Sequence, residues 1–272
     1  MKTTRDTLLS FAREIRLSLL DSSYNAHAGH IGSALSIADI LAALYGTYLN
    51  VSPKNLRSQS RDRFILSKGH AAAALYAALF KKDILTKKQF ESFGMDNGGL
   101  CEHPERKIRG IEMTGGSLGH GLGFGIGIAL GLKKKKIPAR VCVLLSDGEC
   151  GEGSTWEAAL LASHLLLDNL TVIIDYNNWQ CFGPVDEITH VEPFRKKWEA
   201  FGWKAQEVNG HNLPAMQKIF TALPFKKGKS NVIIAKTTMG KGISCIENKL
   251  DGHYRVFSKQ EYMHARKELE KP

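Results

Sequence analysis

Two polar side chains follow two apolar runs of the sequence, and their types could hold a divalent cation. Residues 141–146 (VCVLLS) are followed by Asp147, and residues 170–175 (LTVIID) are followed closely by Asn177. A carboxylate, an amide oxygen and backbone carbonyls are hard oxygen ligands, which suit Mg²⁺ or Ca²⁺ better than zinc. Because Mg²⁺ rarely draws all of its ligands from protein, phosphate groups are expected to complete such a site.

A predicted helix between the two apolar runs would bring their ends together. Residues 154–167 (STWEAALLASHLLL) are typical of a helix, with Ser154 or Thr155 as its N-cap and Glu157 at the spacing of a capping box. A right-handed β-α-β crossover places the carboxyl ends of both strands at one sheet edge, where open parallel sheets bind ligands. Asp147 and Asn177 are therefore expected to lie side by side.

Glycines after the first run favour a phosphate ligand at this edge. Gly148, Gly151 and Gly153 allow backbone amides to approach closely, and the following helix N-terminus offers a favourable dipole. Asp-Gly and Asn-Asn are also common in ordinary turns, so each feature alone remains open to a purely structural interpretation. Their matched positions in one β-α-β unit favour a diphosphate bridged by Mg²⁺.

The rest of the chain predicts an α/β fold, with a parallel sheet sandwiched by helices. Apolar periodicity predicts helices at 5–20, 34–48, 70–80 and 255–272 and further strands at 62–66 and 231–236. The glycine-rich stretch 94–117 is long for a connection inside a compact chain, which favours a functional loop or disorder. With no repeat, linker or boundary in the sequence, residues 1–272 are interpreted as a single domain.

The composition is that of a folded chain without membrane segments. Of 272 residues, 43% are hydrophobic and 24% are charged, which excludes a disordered chain. Basic residues exceed acidic ones by 37 − 27 = 10, which favours anionic partners, although no nucleic-acid motif accompanies the charge. The basic runs at 133–136 and 225–229 are interpreted as solvated loops. No apolar run approaches the ~20 residues of a membrane span, and the five cysteines contain no C-x-x-C pair, so a cytoplasmic location is expected.

A series of glycines precedes the first apolar run. They occupy positions 119, 121, 123, 125, 127 and 131. No frame gives G-x-G-x-x-G after an apolar strand, so dinucleotide binding is not indicated. Four of them, Gly119, Gly123, Gly127 and Gly131, share one helix face. Because a glycine inside a helix costs about 1 kcal/mol, we predict that this face packs closely against another element.

Several stretches, taken together with the paired strand ends, resemble a known family. The motif of thiamin diphosphate enzymes normally begins Gly-Asp-Gly and ends in an Asn-Asn-type sequence, which Asp147-Gly148 and Asn177 match. More specifically, the chain resembles the N-terminal part of transketolase. The matching stretches are AGHIGSALSIAD (28–39), DRFILSKGH (62–70), EHPE (102–105), GGSLGHGLG (115–123), SDGECGEGSTWEAA (146–159) and DYNNWQCFG (175–183).

The resemblance implies the thiamin-diphosphate-binding fold, or PP domain, and a set of site residues. By match, Mg²⁺ would be held by Asp147, Asn177 and the backbone carbonyl of Trp179, with Ca²⁺ as a possible substitute. The residues that would bind the coenzyme are His70, Gly116, Leu118, Asp147, Gly148, Glu152, Asn177 and Trp179. The catalytic histidines of the substrate channel would be His30, His70, His103 and His253. Neutral histidines there would donate or shuttle protons around a sugar's hydroxyls and carbonyl.

Two departures from the family pattern carry expectations of their own. Ser146 replaces the first glycine of Gly-Asp-Gly; it strains the turn if the position needs a positive φ, and otherwise its hydroxyl could assist a phosphate. The second departure is that nothing after residue 250 could form the family's pyrimidine-binding domain, which supplies a glutamate to the aminopyrimidine and most sugar-phosphate contacts. The resemblance therefore implies the N-terminal subunit of a split transketolase, whose partner is a C-terminal transketolase subunit, in an α2β2 heterotetramer.

The implied function is transfer of a two-carbon ketol unit from a ketose phosphate to an aldose acceptor, by a transferase active only with its partner. Within the same coenzyme class, the alternative is a subunit related to deoxyxylulose-phosphate synthase or to a 2-oxoacid dehydrogenase. From a different class, the alternative is a non-catalytic scaffold subunit that kept the fold. Neither a nucleic acid nor a membrane is expected as a partner.

Overall fold

A parallel sheet carries helices on both of its faces in a computed structural model that describes residues 4–271. The strands are Arg63–Leu66 (β1), Val141–Ser146 (β2), Leu170–Tyr176 (β3), Trp179–Gln180 (β4), Gly183–Pro184 (β5), Lys204–Asn209 (β6) and Asn231–Lys236 (β7). Five of them form one sheet in the order β1-β2-β3-β7-β6, and each pairing in it is parallel. The short strands β4 and β5 pair antiparallel and form a hairpin directly after β3.

Helices connect these strands and cover the sheet. The α-helices are Thr4–Asn25 (α1), Ile31–Ser36 (α2), Ala38–Ala43 (α3), Ala72–Lys81 (α4), Lys87–Phe90 (α5), Gly121–Lys134 (α6), Gly153–His164 (α7), Val185–Ile188 (α8), Phe194–Ala200 (α9), Leu213–Thr221 (α10) and Lys259–Glu270 (α11). Short 3₁₀ turns lie at Gly69–Ala71, Gly148–Gly151 and Leu250–His253. Within residues 4–271, none of the helices combines the length and the apolarity that crossing a membrane would require.

The central strands are buried on both faces because their side chains alternate between two hydrophobic cores. In β2, Cys142 and Leu144 enter the core shared with α1–α4, α10 and α11, whereas Val143 and Leu145 enter the core shared with α6, α7 and α9. Continuous apolar runs are typical of such doubly covered parallel strands. The expectation of an α/β fold with a parallel sheet sandwiched by helices is confirmed.

Most predicted elements appear where the apolar pattern placed them. The strands predicted at 141–146, 170–175 and 231–236 are confirmed, the second of them extending to Tyr176. The helix predicted at 34–48 begins earlier, at Ile31, and is interrupted at Ile37, where φ is −96° and ψ is 0°. Strand β6 and the helices α9 and α10 have no counterpart among the predictions. Strand β6 lacks a continuous apolar run, whereas the buried residues of α10, from Leu213 to Phe220, follow helical spacing and were an available signal.

The predicted cap of the helix after β2 is wrong. The helix begins at Gly153, with Glu152 as the N-cap residue and no side-chain cap. The Ser154 hydroxyl donates instead to the backbone carbonyl of Gly119 at 3.0 Å, and the Thr155 hydroxyl donates to that of Glu149 at 3.2 Å. Both residues lie inside α7, past its N-cap position, and their hydroxyls fasten the start of the helix to two neighbouring loops.

The predicted packing of the glycine face is also wrong. A Cβ added at Gly123, Gly127 or Gly131 would meet nothing within 4 Å, so this face of α6 is open in the described chain, and Gly119 lies before the helix begins. The close contact lies on another side of α6, where a Cβ at Gly125 would come within 2.6 Å of Val143 Cγ2. The open face therefore needs another explanation.

Candidate active site

The ends of β2 and β3 meet at one edge of the sheet. Ser146 pairs with Asp175 in the parallel register, which places Asp147 and Asn177 just beyond adjacent strand ends. The Asp147 Oδ2 accepts a 2.6 Å hydrogen bond from the backbone N–H of Asn178, and its Oδ1 accepts one of 2.8 Å from Gly148. The prediction that these two strand ends lie side by side is confirmed.

Asp175 orients the side-chain amide of Asn177. The Asn177 Nδ2 donates to Asp175 Oδ2 at 2.9 Å, while the Asn177 Oδ1 accepts from the backbone N–H of Trp179 at 3.0 Å. The same Oδ2 of Asp175 also accepts from Lys68 Nζ and from Ser36 Oγ, each at 2.6 Å. Because the amide nitrogen is fixed on Asp175, the amide oxygen is left on the opposite side, where it can act as a ligand.

The donor set at this edge fits a hard divalent cation. Asp147 is fully buried, and burial together with the neighbouring Asp175 raises the pKa of its carboxyl to about 7. A cation beside Asp147 would offset this unfavourable burial of charge. Among the described residues, no group of three or more His, Cys, Asp or Glu could hold a metal ion, so the site depends on one carboxylate with amide and carbonyl oxygens. That set suits Mg²⁺ or Ca²⁺.

A cavity of about 350 Å³ opens beside this edge of the sheet. Ten of the residues singled out from the sequence line it: His30, His70, His103, Gly116, Leu118, Gly148, Glu152, Asn177, Trp179 and His253. Asp147 is buried and accepts a hydrogen bond from the backbone N–H of Gly148, which lines the cavity. The structure thus gathers the whole predicted set in one place, whereas the role of each residue stays a prediction.

Four histidines form a cluster on one wall of the cavity. The ring centroid of His30 lies 5.3 Å from those of His70 and His253 and 6.4 Å from that of His103. The backbone N–H of His30 donates to the carbonyl of His253 at 2.8 Å, which joins two distant segments of the chain. The His70 Nε2 lies 2.9 Å from Ser33 Oγ. These rings can therefore act on one bound molecule.

The cluster favours neutral imidazoles. Burial, reinforced by the nearby Lys68 and His30, lowers the pKa of His70 well below its usual value. Burial, followed by His30 and Lys68, lowers the pKa of His253 to about 4. Burial also lowers the pKa of His30, against the opposing effect of Glu102. Rings that are neutral at pH 7 can both donate and accept hydrogen bonds.

Two glycines permit the close contacts that shape the cavity. A Cβ at Gly69 would lie 2.9 Å from the backbone nitrogen of Gly116, and a Cβ at Gly148 would lie 2.8 Å from Cγ of Gln180. Side chains at these positions would push apart the loops that carry His70, Gly116 and the β4–β5 hairpin. The cavity therefore depends on the absence of side chains there.

Ser146 does not strain its turn. It ends β2 and is not among the described residues with positive φ. Its hydroxyl accepts a 3.1 Å hydrogen bond from the backbone N–H of Glu149. The buried carboxylate of Glu149 in turn accepts from the backbone N–H of Gly119 at 2.8 Å and from the hydroxyl of Ser67. Ser146 thus takes part in a network that joins three loops around the cavity.

Sequence reasoning missed several residues that line the cavity. They are Ser33, Lys68, Gln180, Cys181, Phe182, Met239 and Tyr254. Lys68 lies within one of the matching stretches, and a lysine two residues after a buried strand was the available signal. Met239 and Tyr254 come from loops late in the chain, and only the fold brings them to the cavity.

Comparisons with known proteins show which family the chain resembles. The family model described as "Transketolase, thiamine diphosphate binding domain" matches residues 9–270. The chain is 37% identical to an apulose-4-phosphate transketolase subunit of Phocaeicola vulgatus, over 97% of this chain and 94% of that protein. It is also 37% identical to the 6-deoxy-6-sulfo-D-fructose transketolase subunit SqwG of a Clostridium species, over 96% and 95% of the two chains.

Solved structures show the same fold. The chain superimposes on the transketolase of Campylobacter jejuni with a TM-score of 0.91 and 30% sequence identity. That match covers 99% of this chain but 43% of the other, so the chain spans less than half of the length of that protein.

Proposed function

Because the chain belongs to the family of transketolase thiamin diphosphate-binding domains, we propose that it is the N-terminal subunit of a split transketolase. With a separate C-terminal subunit, it would transfer a two-carbon ketol unit from a ketose phosphate to an aldose acceptor. The observation that carries this proposal is the convergence of the Asp147–Asn177 edge and four histidines on one cavity. We propose that the enzyme is cytoplasmic, because the five free cysteines of the chain suit a reducing compartment.

Mg²⁺ is the cation that we propose for the edge of the sheet. Asp147, the amide oxygen of Asn177 and the backbone carbonyl of Trp179 would hold it. Ca²⁺ could replace it, because all three donors are oxygens. A metal ion there would also neutralise the buried carboxylate of Asp147 and attract the diphosphate of the coenzyme.

Thiamin diphosphate is the coenzyme that we propose for the cavity. Backbone groups of Gly148, Gly116 and Leu118, with the side chains of His70 and Glu152, would bind it. When bound, it supplies a nucleophilic carbon and an electron sink for breaking the bond between two sugar carbons. The chain's own part is to position the coenzyme and to surround the substrate with neutral histidines.

We propose that the histidine cluster forms hydrogen bonds to the bound sugar and transfers protons to and from it. His30, His70, His103 and His253 line one wall, and the lowered pKa values of three of them keep those three neutral at pH 7. A neutral ring can donate to a carbonyl oxygen with one nitrogen and accept from a hydroxyl with the other. The ring can therefore hold or move a proton while the sugar is bound.

The proposed partner subunit would cover the mouth of the cavity. Glu152 is exposed there, and Phe182 on the β4–β5 hairpin is 83% exposed. Helices α6 and α7 cover the same face of the sheet. The outer surface of α6 is its open glycine face, and that of α7 carries the exposed Leu160 and Leu161. Exposed apolar groups of this extent are typical of an interface. We propose that the partner's pyrimidine-binding domain packs here, in an α2β2 assembly.

The substrates are proposed to be anionic ketoses. The two subunit relatives are named for apulose-4-phosphate and 6-deoxy-6-sulfo-D-fructose, which carry a phosphate and a sulfonate. Among the described residues that line the cavity, Lys68 supplies the one ammonium, and this group is already paired with Asp175. We therefore assign recognition of the substrate's anionic group to the partner subunit.

A reconstitution experiment tests the proposal. The purified chain is mixed with the candidate C-terminal subunit, Mg²⁺ and thiamin diphosphate, and ketol transfer from ketose phosphates is followed by NMR. We expect transfer only when both subunits are present. Asp147→Ala should abolish both transfer and the coenzyme-dependent rise in melting temperature, whereas the surface control Asp96→Ala should retain both. Ketol transfer by the chain alone would overturn the proposal that the active site is shared with a partner subunit. A complex that forms but shows neither ketol transfer nor a coenzyme-dependent rise in melting temperature would indicate a scaffold.

A further inference from the structure

A cleft outside the candidate active site is lined by five cationic side chains. They are Lys54, Arg57, Arg106, Lys107 and Arg109, and the cleft has a volume of about 610 Å³. Two loops form it: the segment between α3 and β1, and the segment that runs from His103 to Gly116. The proposed transketolase function makes no use of this cleft.

The positive charge of the cleft is largely unneutralised. Lys107 Nζ pairs with Glu105 at 2.6 Å, and Arg109 Nη2 donates to the backbone carbonyl of Pro53 at 3.0 Å. Within residues 4–271, no carboxylate forms an ion pair with Lys54, Arg57, Arg106 or Arg109. Like charges that line one concavity repel one another, and the cleft thus favours a bound anion.

The cleft and the coenzyme cavity are separate sites on one loop. The backbone N–H of Gly115 donates to the carbonyl of Pro104 at 2.9 Å and closes the loop at its base. His103 and Gly116, just outside this hydrogen bond, line the coenzyme cavity, whereas Arg106, Lys107 and Arg109 lie within the loop. Ile108 and Ile111 are buried and hold the loop against the hydrophobic core. Three of the five cations are therefore held on an anchored segment, while Lys54 and Arg57 come from the segment between α3 and β1.

We propose that this cleft binds a small molecule that carries at least two phosphate groups. Three arginines are present, and a guanidinium can give two parallel hydrogen bonds to one phosphate. The volume lies in the range of small-molecule pockets, ~300–1,000 Å³. A concave site of this size favours a compact ligand over the long backbone of a nucleic acid.

Calorimetric titration of the full chain with inorganic pyrophosphate tests the proposal, in buffer without divalent cations so that the coenzyme edge is not engaged. We expect one binding site, which His70→Ala in the coenzyme cavity leaves unchanged. Arg57→Gln with Arg109→Gln should weaken binding by about 10-fold or more, because charge-assisted hydrogen bonds are lost. The matched control, Lys259→Gln with Lys267→Gln, removes two positive charges from α11 and should bind as the unmodified chain does.

Second variants keep the test decisive if the glutamine pair does not fold, which circular dichroism would show. The double variant Arg57→Lys with Arg109→Lys retains both positive charges but loses the planar guanidinium groups with their paired N–H donors. It should therefore also weaken pyrophosphate binding. Competition with fructose 1,6-bisphosphate and with ADP then distinguishes a sugar bisphosphate from a nucleotide, and displacement by either supports the site.

Three results would overturn the proposal. One is unchanged pyrophosphate affinity in both arginine double variants. Another is loss of binding in His70→Ala alone, which would assign the pyrophosphate to the coenzyme cavity. The third is displacement by a 20-nucleotide RNA while neither small molecule competes. Failure of the transketolase proposal affects none of these readouts, so the two proposals stand or fall separately.

Discussion

The ammonium of Lys68 lies 2.6 Å from Oδ2 of Asp175, and both side chains are completely buried. Asp175 also accepts from Thr237 Oγ1 at 2.5 Å and from Asn177 Nδ2 at 2.9 Å. A buried ion pair loses hydration on both sides, so it depends on such additional hydrogen bonds. Since one of these bonds fixes the amide of Asn177, the pair links the core of the sheet to the proposed metal edge.

Lys68→Met should destabilise the chain strongly. It leaves the Asp175 carboxylate buried without a cation, which costs about 3–5 kcal/mol of unfolding free energy. Urea unfolding at pH 7 measures this change. The double variant Lys68→Met with Asp175→Leu should recover part of the loss, yet bind Mg²⁺ and the coenzyme more weakly because Asn177 is no longer oriented. The exposed control Lys236→Met should cost less than about 1 kcal/mol. Equal stability of the single and double variants would contradict this account.

This pair marks a limit of what the sequence could predict. The buried strands could be predicted, because continuous apolar runs such as 141–146 leave few alternatives in an α/β chain. The burial of Lys68 could not, because lysine is usually exposed and its partner lies 107 residues away. Local patterns thus predict elements, while the polar network between elements depends on the assembled sheet.

Ser146→Gly tests whether the serine acts on stability or on the coenzyme. The hydroxyl accepts from the N–H of Glu149, so its removal should cost about 1 kcal/mol, the net contribution of one hydrogen bond. Because the turn is unstrained with serine in place, glycine relieves nothing there, and we expect the coenzyme-dependent rise in melting temperature to persist. Thermal unfolding with and without thiamin diphosphate and Mg²⁺ measures both effects. Loss of that rise would show that the serine assists the diphosphate.

Alanine substitutions at two glycines of α6, Gly127 and Gly125, should change the unfolding free energy in opposite directions. At Gly127 a Cβ meets nothing within 4 Å, so Gly127→Ala should raise the unfolding free energy of the isolated chain by about 0.5–1 kcal/mol. Gly125→Ala should lower it, because its Cβ would press on Val143 at 2.6 Å. Urea unfolding compares the two variants.

The larger substitution Gly127→Leu tests the same face as a partner interface. The isolated chain should tolerate it, whereas association with the C-terminal subunit in analytical ultracentrifugation should weaken. Lys259→Leu on the outer helix α11 is the control. Unchanged association would place the interface elsewhere.

The histidine cluster shows why the site was only partly predictable. His30 and His70 lie in stretches that match a family, so resemblance could select them from ten histidines. Their mutual contact is a product of the fold, since the carbonyl of His253 must reach the N–H of His30. No periodicity in the sequence encodes a contact between two loops so far apart.

His253 should make the stability of the chain depend on pH. Burial, His30 and Lys68 lower the pKa of His253 to about 4, whereas the unfolded chain has the ordinary value near ~6.5. Between these values the unfolded state binds more protons than the folded one, so stability falls as pH drops below about 6.5 and is unaffected above it. His253→Gln should reduce the loss of unfolding free energy between pH 7 and pH 5 by about 1 kcal/mol, after allowance for solvent screening. Urea unfolding at the two pH values measures the difference, with the exposed His164→Gln as control. If His253→Gln and His164→Gln lose the same stability on acidification, the cluster does not hold His253 neutral.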